Sequence, residues 1–359
     1  MVKQRYLQFI LGIFTVVSTV AAFQEGIFHE KGRPSLAPGK YIFWRHPGAV
    51  SKLDFRYGIG GKENQPQPPF QFVDEDFSGS NPKVNVRDSR GVDWNVKWGP
   101  EGRSSVFATR LAWACGFYVE PEYFVEEGTI EDAHGLKRAF PRVSTKDGSF
   151  KHARFQKRSD APKYMDGYGW KWADNPFVNT PQLQGFKILM LLVSNWDNKD
   201  ARDYSGGILG HSEMDTNLAI FEDNRNGERR YYFADDDWGG SMGKWGGSLF
   251  AWTRWDCKGF ASQTPDFLKH EEDGRLHFGY NGKHRKELTA DITVSDIQWL
   301  MQYLGKISDD QIRTGLESSG AKPEEVQCFS QALRQRIEQL RQVAPGAPEK
   351  NEGTPVGRK

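Results

Sequence analysis

Phe70-Gln-Phe-Val-Asp-Glu-Asp76, Lys83-Val-Asn-Val-Arg87 and Val92-Asp-Trp-Asn-Val-Lys97 form the stretch on which the fold turns. Apolar and polar residues alternate in each run, so one face of each meets a core and the other meets water. Between them lie Ser78-Gly-Ser-Asn-Pro82 and Asp88-Ser-Arg-Gly91, both rich in turn formers. The pattern predicts three short antiparallel strands. A helix is expected next, with Ser104 or Ser105 as N-cap, Phe107, Leu111, Ala114 and Cys115 on one face, and Gly116 as its stop. Tyr118 to Val125 then returns to a strand pattern, which completes a small α+β unit.

Toward the N-terminus, Gly32-Arg33-Pro34, Pro38-Gly39, Pro47-Gly48, Gly58-Ile59-Gly60-Gly61, Pro66, Pro68 and Pro69 interrupt residues 23–68 too often for long regular elements. This segment reads as an extended leader lying against a domain. Ahead of it, Lys3 and Arg5 precede an apolar run from Leu7 to Val20 that ends in the small residues Ala21 and Ala22. That is the form of a secretory signal over residues 1–22, cleaved after Ala22, and the run is shorter than the roughly 18 to 20 residues that span a bilayer. The expected address is secreted or periplasmic, with no stable membrane span after cleavage.

Toward the C-terminus, residues 129–180 are polar, basic and broken by Gly and Pro, and predict no placeable strand. A helix is expected near 180–193, where Phe186, Leu189, Met190 and Val193 form a stripe, and it runs straight into Ser194-Asn-Trp-Asp-Asn-Lys-Asp200. Asn217-Leu-Ala-Ile-Phe221 and Arg230-Tyr-Tyr-Phe-Ala234 flank Asn226-Gly227, a strong hairpin signal. The second of these strands ends in Asp235-Asp-Asp-Trp-Gly-Gly240. Glu222, Asn224, Asn226 and Gly227 mimic the start of an EF-hand, but its twelfth position is Phe233 where a bidentate acid is needed. Thr293 with Asp296 and Ser308 with Gln311 have capping-box spacing, and Pro323 suits a first helical turn, so the last third is expected to be helical. Residues 345–359 have the composition of a disordered tail.

A formal charge of +1 over 359 residues argues against a bulk attraction to nucleic acid. Aromatic residues make up 13%, with 12 Trp, which favours core packing over a ligand-stacking surface. The three cysteines, Cys115, Cys257 and Cys328, allow at most one intrachain disulfide and exclude a CxxC zinc site. Cys115 reads as a buried inert thiol, and a bridge from Cys257 to Cys328 stays open. Neither HExxH nor GxSxG occurs.

Phosphoryl transfer needs a lysine on the phosphates, one carboxylate near the attacking hydroxyl, another on the metal, and a backbone turn over the nucleotide. The chain offers such parts in order: a glycine-containing turn, a strand ending in Val96-Lys97, two helices, Asn195-Trp-Asp197 and then Asp237-Trp-Gly239. In this the region from about 70 to 343 resembles the protein-kinase-like superfamily, in particular the secretory-pathway kinases, the phosphatidylinositol kinases and the HipA-like kinases. Those families use an Asn-x-Asp type catalytic loop and an Asp-x-Gly metal motif. The resemblance implies a two-lobed α+β fold, with a small antiparallel β lobe plus one helix at 69–128 and a larger, mainly helical lobe at 129–344.

It also implies ATP or another nucleotide, Mg²⁺ or Mn²⁺, and an acceptor bearing a hydroxyl. By position, Asp197 matches the catalytic base and Lys97 the lysine on the phosphates. Gly79 matches the covering turn. Glu101, placed here just ahead of the helix, is the nearest residue to the family's lysine partner. Asp237 matches the metal ligand, and Asp235 joins it if strand alternation points both the same way. Asp203 occupies the region of a second metal ligand, with Asn217 a distant substitute. Taken singly, Lys97 is also an ordinary strand-end lysine, Asp197 a helix-terminating residue and the three acids a solvated turn. Two other functions fit the same residues: a pseudokinase that binds without turnover, and a glycan-active enzyme with paired carboxylates and an aromatic groove.

Overall fold

The computed structural model describes residues 26–77, 79, 81–159, 161–206, 212–246 and 252–345. The signal expected at 1–22, the turn residues Ser78 and Ser80, and the tail beyond Pro345 lie outside the described residues. In chain order the elements are β1 (Ile27–His29), β2 (Lys40–Ile42), β3 (Phe70–Asp76), β4 (Lys83–Arg87), β5 (Asp93–Trp98), α1 (Pro100–Ala114), β6 (Glu122–Glu131), β7 (Ser149–Lys157) and β8 (Lys163–Trp170). After these come α2 (Pro181–Leu192), β9 (Tyr204–Gly206), β10 (Ser212–Met214), β11 (Leu218–Arg225), β12 (Glu228–Asp235) and α3 (Cys257–Ser262). The chain ends with β13 (Leu268–Glu272), β14 (Arg275–Phe278), α4 (Arg285–Thr289), α5 (Val294–Leu304), α6 (Asp309–Glu317) and α7 (Pro323–Val343). The fold is α+β, as expected.

β3, β4 and β5 form the predicted antiparallel run, and β7 and β6 extend it into a closed barrel in the order β3-β4-β5-β7-β6. Parallel pairing of Phe70 with Ile130 closes it. Alternation fills the inside: Val84, Val86, Trp94, Val96 and Phe155 are fully buried. Asp88 builds the turn between β4 and β5 by accepting from the backbone N–H of Arg90 and Val92 and from Trp94 Nε1 at 3.1 Å.

A second sheet, ordered β1-β8-β11-β12-β2, stands beside the barrel. The leader therefore does more than lie against a domain, because it supplies both edge strands. The β11–β12 hairpin turns at Asn226 (φ 55°) and Gly227 (φ 77°), the left-handed pair that a type I′ turn requires. The EF-hand mimic is this turn. Helices α2, α5, α6 and α7 bury their apolar faces in a core separate from that of the barrel. Both predicted capping boxes are present at Thr293 and Ser308, and Pro323 opens α7. Cys257 and Cys328 form a disulfide that ties α3 to α7, while Cys115 is free and buried.

Three expectations need correction. The helix α1 begins at Pro100, not at Ser104 or Ser105, so Glu101 is in its first turn. Both serines instead lie in its buried interior, Ser104 Oγ donating to the Pro100 carbonyl and Ser105 Oγ to Glu122. Residues 129–180 hold β7 and β8, and β7 belongs to the barrel, which therefore reaches past residue 128. The remainder is mixed, since residues 163–235 build most of a sheet, and "mainly helical" does not describe it. Among the described residues no helix is long and apolar enough to cross a membrane.

Candidate functional site

Between the barrel and the loops that follow α2 and β12 lies a cleft of about 1530 Å³, lined by Lys97, Glu101, Asp197, Asn217, Asp237 and Gly79 among others. A single small-molecule site commonly occupies about 300 to 1,000 Å³, so the cleft is larger than one such site.

Lys97 reaches the cleft because β5 carries it to the strand's end, where Gly99 (φ 88°) turns the chain into α1. Pro100 at the first helical position then sets Glu101 one turn-start away, and the Lys97 ammonium donates to Glu101 Oε1 and, at 3.2 Å, to Asp237 Oδ2. Burial disfavours the charged lysine, but the Asp237 and Glu101 carboxylates outweigh it and raise its pKa. For Asp237, burial works upward, and Lys97 and Arg154 more than offset it, so this carboxyl sits well below the usual range. Glu101 is shifted up, by burial first and then by Asp237.

Asp197 is delivered by the end of α2. Ser194, at φ 56°, donates its N–H to Leu191 O, and Asn195 donates to Met190 O at 2.9 Å, which is a Schellman ending without glycine. The end is clamped from below by Arg336 of α7, fully buried, which donates to Leu192 O at 2.8 Å and Ser194 Oγ at 2.7 Å. Cations at a helix C-terminus meet its unpaired carbonyls and the negative end of its dipole. Tyr280 OH donates to Asn195 O at 2.6 Å and holds the loop from the other side. Burial pushes the Asp197 carboxyl up, with Lys199 and Lys283 pulling against it. Its nearest cations, Arg254 and Lys283, stand at 3.6 Å.

Asp237 caps the short turn Trp238–Gly240, its Oδ1 accepting from Gly239 N at 2.9 Å. The two glycines are required by proximity. A Cβ at Gly239 would lie 2.1 Å from Glu101 Cγ, and one at Gly240 would lie 3.0 Å from the Asp197 backbone nitrogen. Trp238 is buried against Phe186 of α2, which joins the two loops through the core.

The structure thus brings Lys97, Glu101, Gly79, Asp197 and Asp237 to one cleft, and leaves two of the expected residues aside. Asp235 is buried and does not line the cleft. Because β12 stops at Asp235, alternation no longer governs Asp237, and Asp235 Oδ1 accepts from the Asp237 backbone N–H at 2.8 Å. Its carboxyl is pushed well above the usual range by burial. Asp203 also lies off the cleft lining, bonded to His284 Nε2 at 2.6 Å and to the Asp200 N–H at 2.8 Å. The covering turn at Gly79 (φ 62°) is held by Arg138, which donates to Phe77 O and Gly79 O.

Asn217, 20 residues from Asp197 in sequence, is close to it in space. Its Nδ2 donates to the Asp197 carbonyl, and its own carbonyl accepts from Asp236 N at 2.8 Å, so it bridges the two loops. Sequence reasoning passed over Lys199, which lines the cleft and donates to Asp215 at 2.7 Å, and Arg254 and Lys283 beside Asp197. Lys199 had a signal, since it follows the candidate base by two residues. The other two had none, because they come from remote segments. At the rim, Trp252 stacks on Trp196 at 5.3 Å and 12°, and Arg254 lies over the Trp196 ring at 4.4 Å.

For a hard divalent cation the cleft offers Asp237, a carboxylate held ionised, but its Oδ1 accepts from Gly239 N and its Oδ2 from Lys97, and Glu101 Oε2 faces Arg254 Nε at 3.9 Å, so a bound ion would have to displace Lys97 from Asp237. Neither a protein-family model nor a curated protein sequence matches the chain.

Proposed function

We propose that this protein is an exported phosphotransferase with a kinase-like two-lobed arrangement, moving the terminal phosphoryl group of ATP or a related nucleotide to a hydroxyl acceptor. One observation carries the reading: the Lys97 ammonium bridges Glu101 and Asp237 in the same cleft that Asp197 lines. A lysine so placed can hold phosphate oxygens, and the loop carboxylate Asp197, with its raised pKa, can accept the acceptor's hydroxyl proton. Asp237, with Asn217, would hold Mg²⁺ or Mn²⁺, which supplies charge neutralisation on the transferring phosphates. Lys199, Arg254 and Lys283 add positive charge on the side where the transferred group would sit. The Cys257–Cys328 disulfide suits an oxidising compartment and so supports export.

A pseudokinase reading would rest on a missing helix glutamate and a missing metal-loop asparagine, and this chain has a candidate for each. Glu101, in the first turn of α1, would serve as the helix glutamate, and Asn217, bonded to the Asp197 carbonyl, would serve as the asparagine. The glycan-active reading keeps one observation in its favour, the Trp196–Trp252 stack at the rim. Against it stand the lysines that share the cleft with the carboxylates.

The test is a melting curve with ATP and MnCl₂ or MgCl₂, run beside an assay of phosphate release or transfer. A nucleotide- and metal-dependent rise in Tm together with turnover supports the proposal. A rise without turnover, unchanged by Asp197→Ala, selects the pseudokinase, and neither effect sinks the phosphotransferase.

A further inference from the structure

Away from the cleft, the hairpin β13–β14 presents His270, Glu272 and His277 on one exposed face. His270 and Glu272 are two apart on one strand and so share a face, and a register shift after Leu268 sets His270 directly opposite His277. The two rings stack at 4.5 Å and 11°, and both Nε2 atoms face Glu272 Oε2, at 3.9 Å from His270 and 3.8 Å from His277. All three donor atoms lie within 4.8 Å of one another. Around a tetrahedral zinc ion, donors stand roughly 3.3 Å apart, so small rotations of exposed side chains suffice.

The hairpin is anchored to the core, and the Glu272 carboxylate is turned toward the histidines. Asp273 (φ 51°) and Gly274 (φ 75°) make the tight left-handed turn, Leu276 and Phe278 are buried, and Leu276 N donates to Ile292 O at 2.9 Å. Arg275 is the register partner of Glu272, yet its guanidinium turns to Asp291 at 3.5 Å, leaving the Glu272 carboxylate to the histidines. The other grouping of this kind among the described residues, Asp200, Asp203 and His284, differs in that Asp200 is buried and already accepts from Arg202 and the Trp172 N–H.

We propose that His270, Glu272 and His277 bind a divalent first-row transition ion of the zinc class, with water completing its coordination. Imidazole favours such ions, whereas the cleft's oxygen donors favour Mg²⁺ or Mn²⁺, so the two sites select differently. None of the three residues lines the cleft, and the site stands whether or not the phosphotransferase reading holds.

The test is isothermal titration of ZnCl₂ into the purified untagged chain. One saturable equivalent lost with the hairpin histidines is expected for the wild type, and any MgCl₂ heat is expected to be the same in the wild type and the hairpin variants. In the double variant His270→Ala/His277→Ala that equivalent weakens by about tenfold or more. Its metal-free melting curve should match the wild type, because both side chains are exposed. Glu272→Gln, which keeps the shape, should weaken binding severalfold and keeps the test in force if the double variant folds poorly. A wild type without saturable uptake, or a double variant with an unchanged isotherm, overturns the proposal.

Discussion

On the barrel side of the cleft, Arg154 and Glu122 pair at 2.8 Å with side chains only 3% and 1% exposed, while on the loop side Asp197 finds its nearest cations no closer than 3.6 Å. The barrel closes its charges on one another: Arg154 also donates to Gln156 and Asn95, and Lys97 to Glu101. Asp237 is drawn into that set by Lys97, whereas the loop that carries Asp197 is held through its backbone. Asp197 rests on a helix ending, on Arg336 beneath it and on the close approach of Gly240. Charges of the first kind maintain the bank, and removing one leaves its partner stranded. A carboxylate of the second kind keeps its oxygens uncommitted, at some cost to stability.

The largest expected effect is therefore on the barrel. Arg154→Met leaves Glu122 buried without its cation and should cost about 3–5 kcal/mol, read from urea unfolding. A loss below about 1 kcal/mol would break the comparison, since that is the size of an exposed pair. Next comes Gly240→Ala, where the new methyl meets the Asp197 backbone. The expected cost is about 1–3 kcal/mol, and, on the proposed function, phosphate transfer should slow because the loop must shift.

The smallest effect has the opposite sign. The Asp197 carboxyl has a raised pKa in the folded chain, so its ionisation is harder folded than unfolded, and stability is lost as pH rises through the folded value. Asp197→Asn removes that loss. At neutral pH the variant should equal or exceed the wild type in stability, and the difference should vanish below the ordinary aspartate value of about 3.9. Asp237 reverses the sign, because Lys97 and Arg154 hold its carboxyl down against burial. Asp237→Asn should lower stability at neutral pH, and urea melts at two pH values separate the pair.

The same contrast explains what could be read from residues alone. Strands β3 to β5, the Asn226-Gly227 hairpin and the capping boxes were legible because alternation, turn chemistry and caps are local. Strand β7 was not: Ser-Phe-Lys-His-Ala-Arg-Phe-Gln-Lys looks like a polar loop, and Arg154 and Gln156 are buried only because distant acids meet them there. The start of α1 was misread because Ser104 and Ser105 resemble caps, whereas Pro100 and Glu101 were the better signal. In the site, Asp197 and Asp237 stood out because each lies just past the end of an element. The nearness of Asn217 to Asp197 depends on how the chain between them folds back, and no spacing rule contains it.

The most direct measurement is ATP turnover with Mn²⁺ or Mg²⁺ by the wild type and by Lys97→Met, Asp197→Asn and Asp237→Asn, each with its nucleotide-induced shift in Tm. The account predicts turnover by the wild type, a fall of about 10² to 10⁴-fold for Asp197→Asn with the Tm shift retained, and loss of both for the other two. A wild type that neither turns over ATP nor gains stability from it, or an Asp197→Asn variant with full turnover, would contradict it.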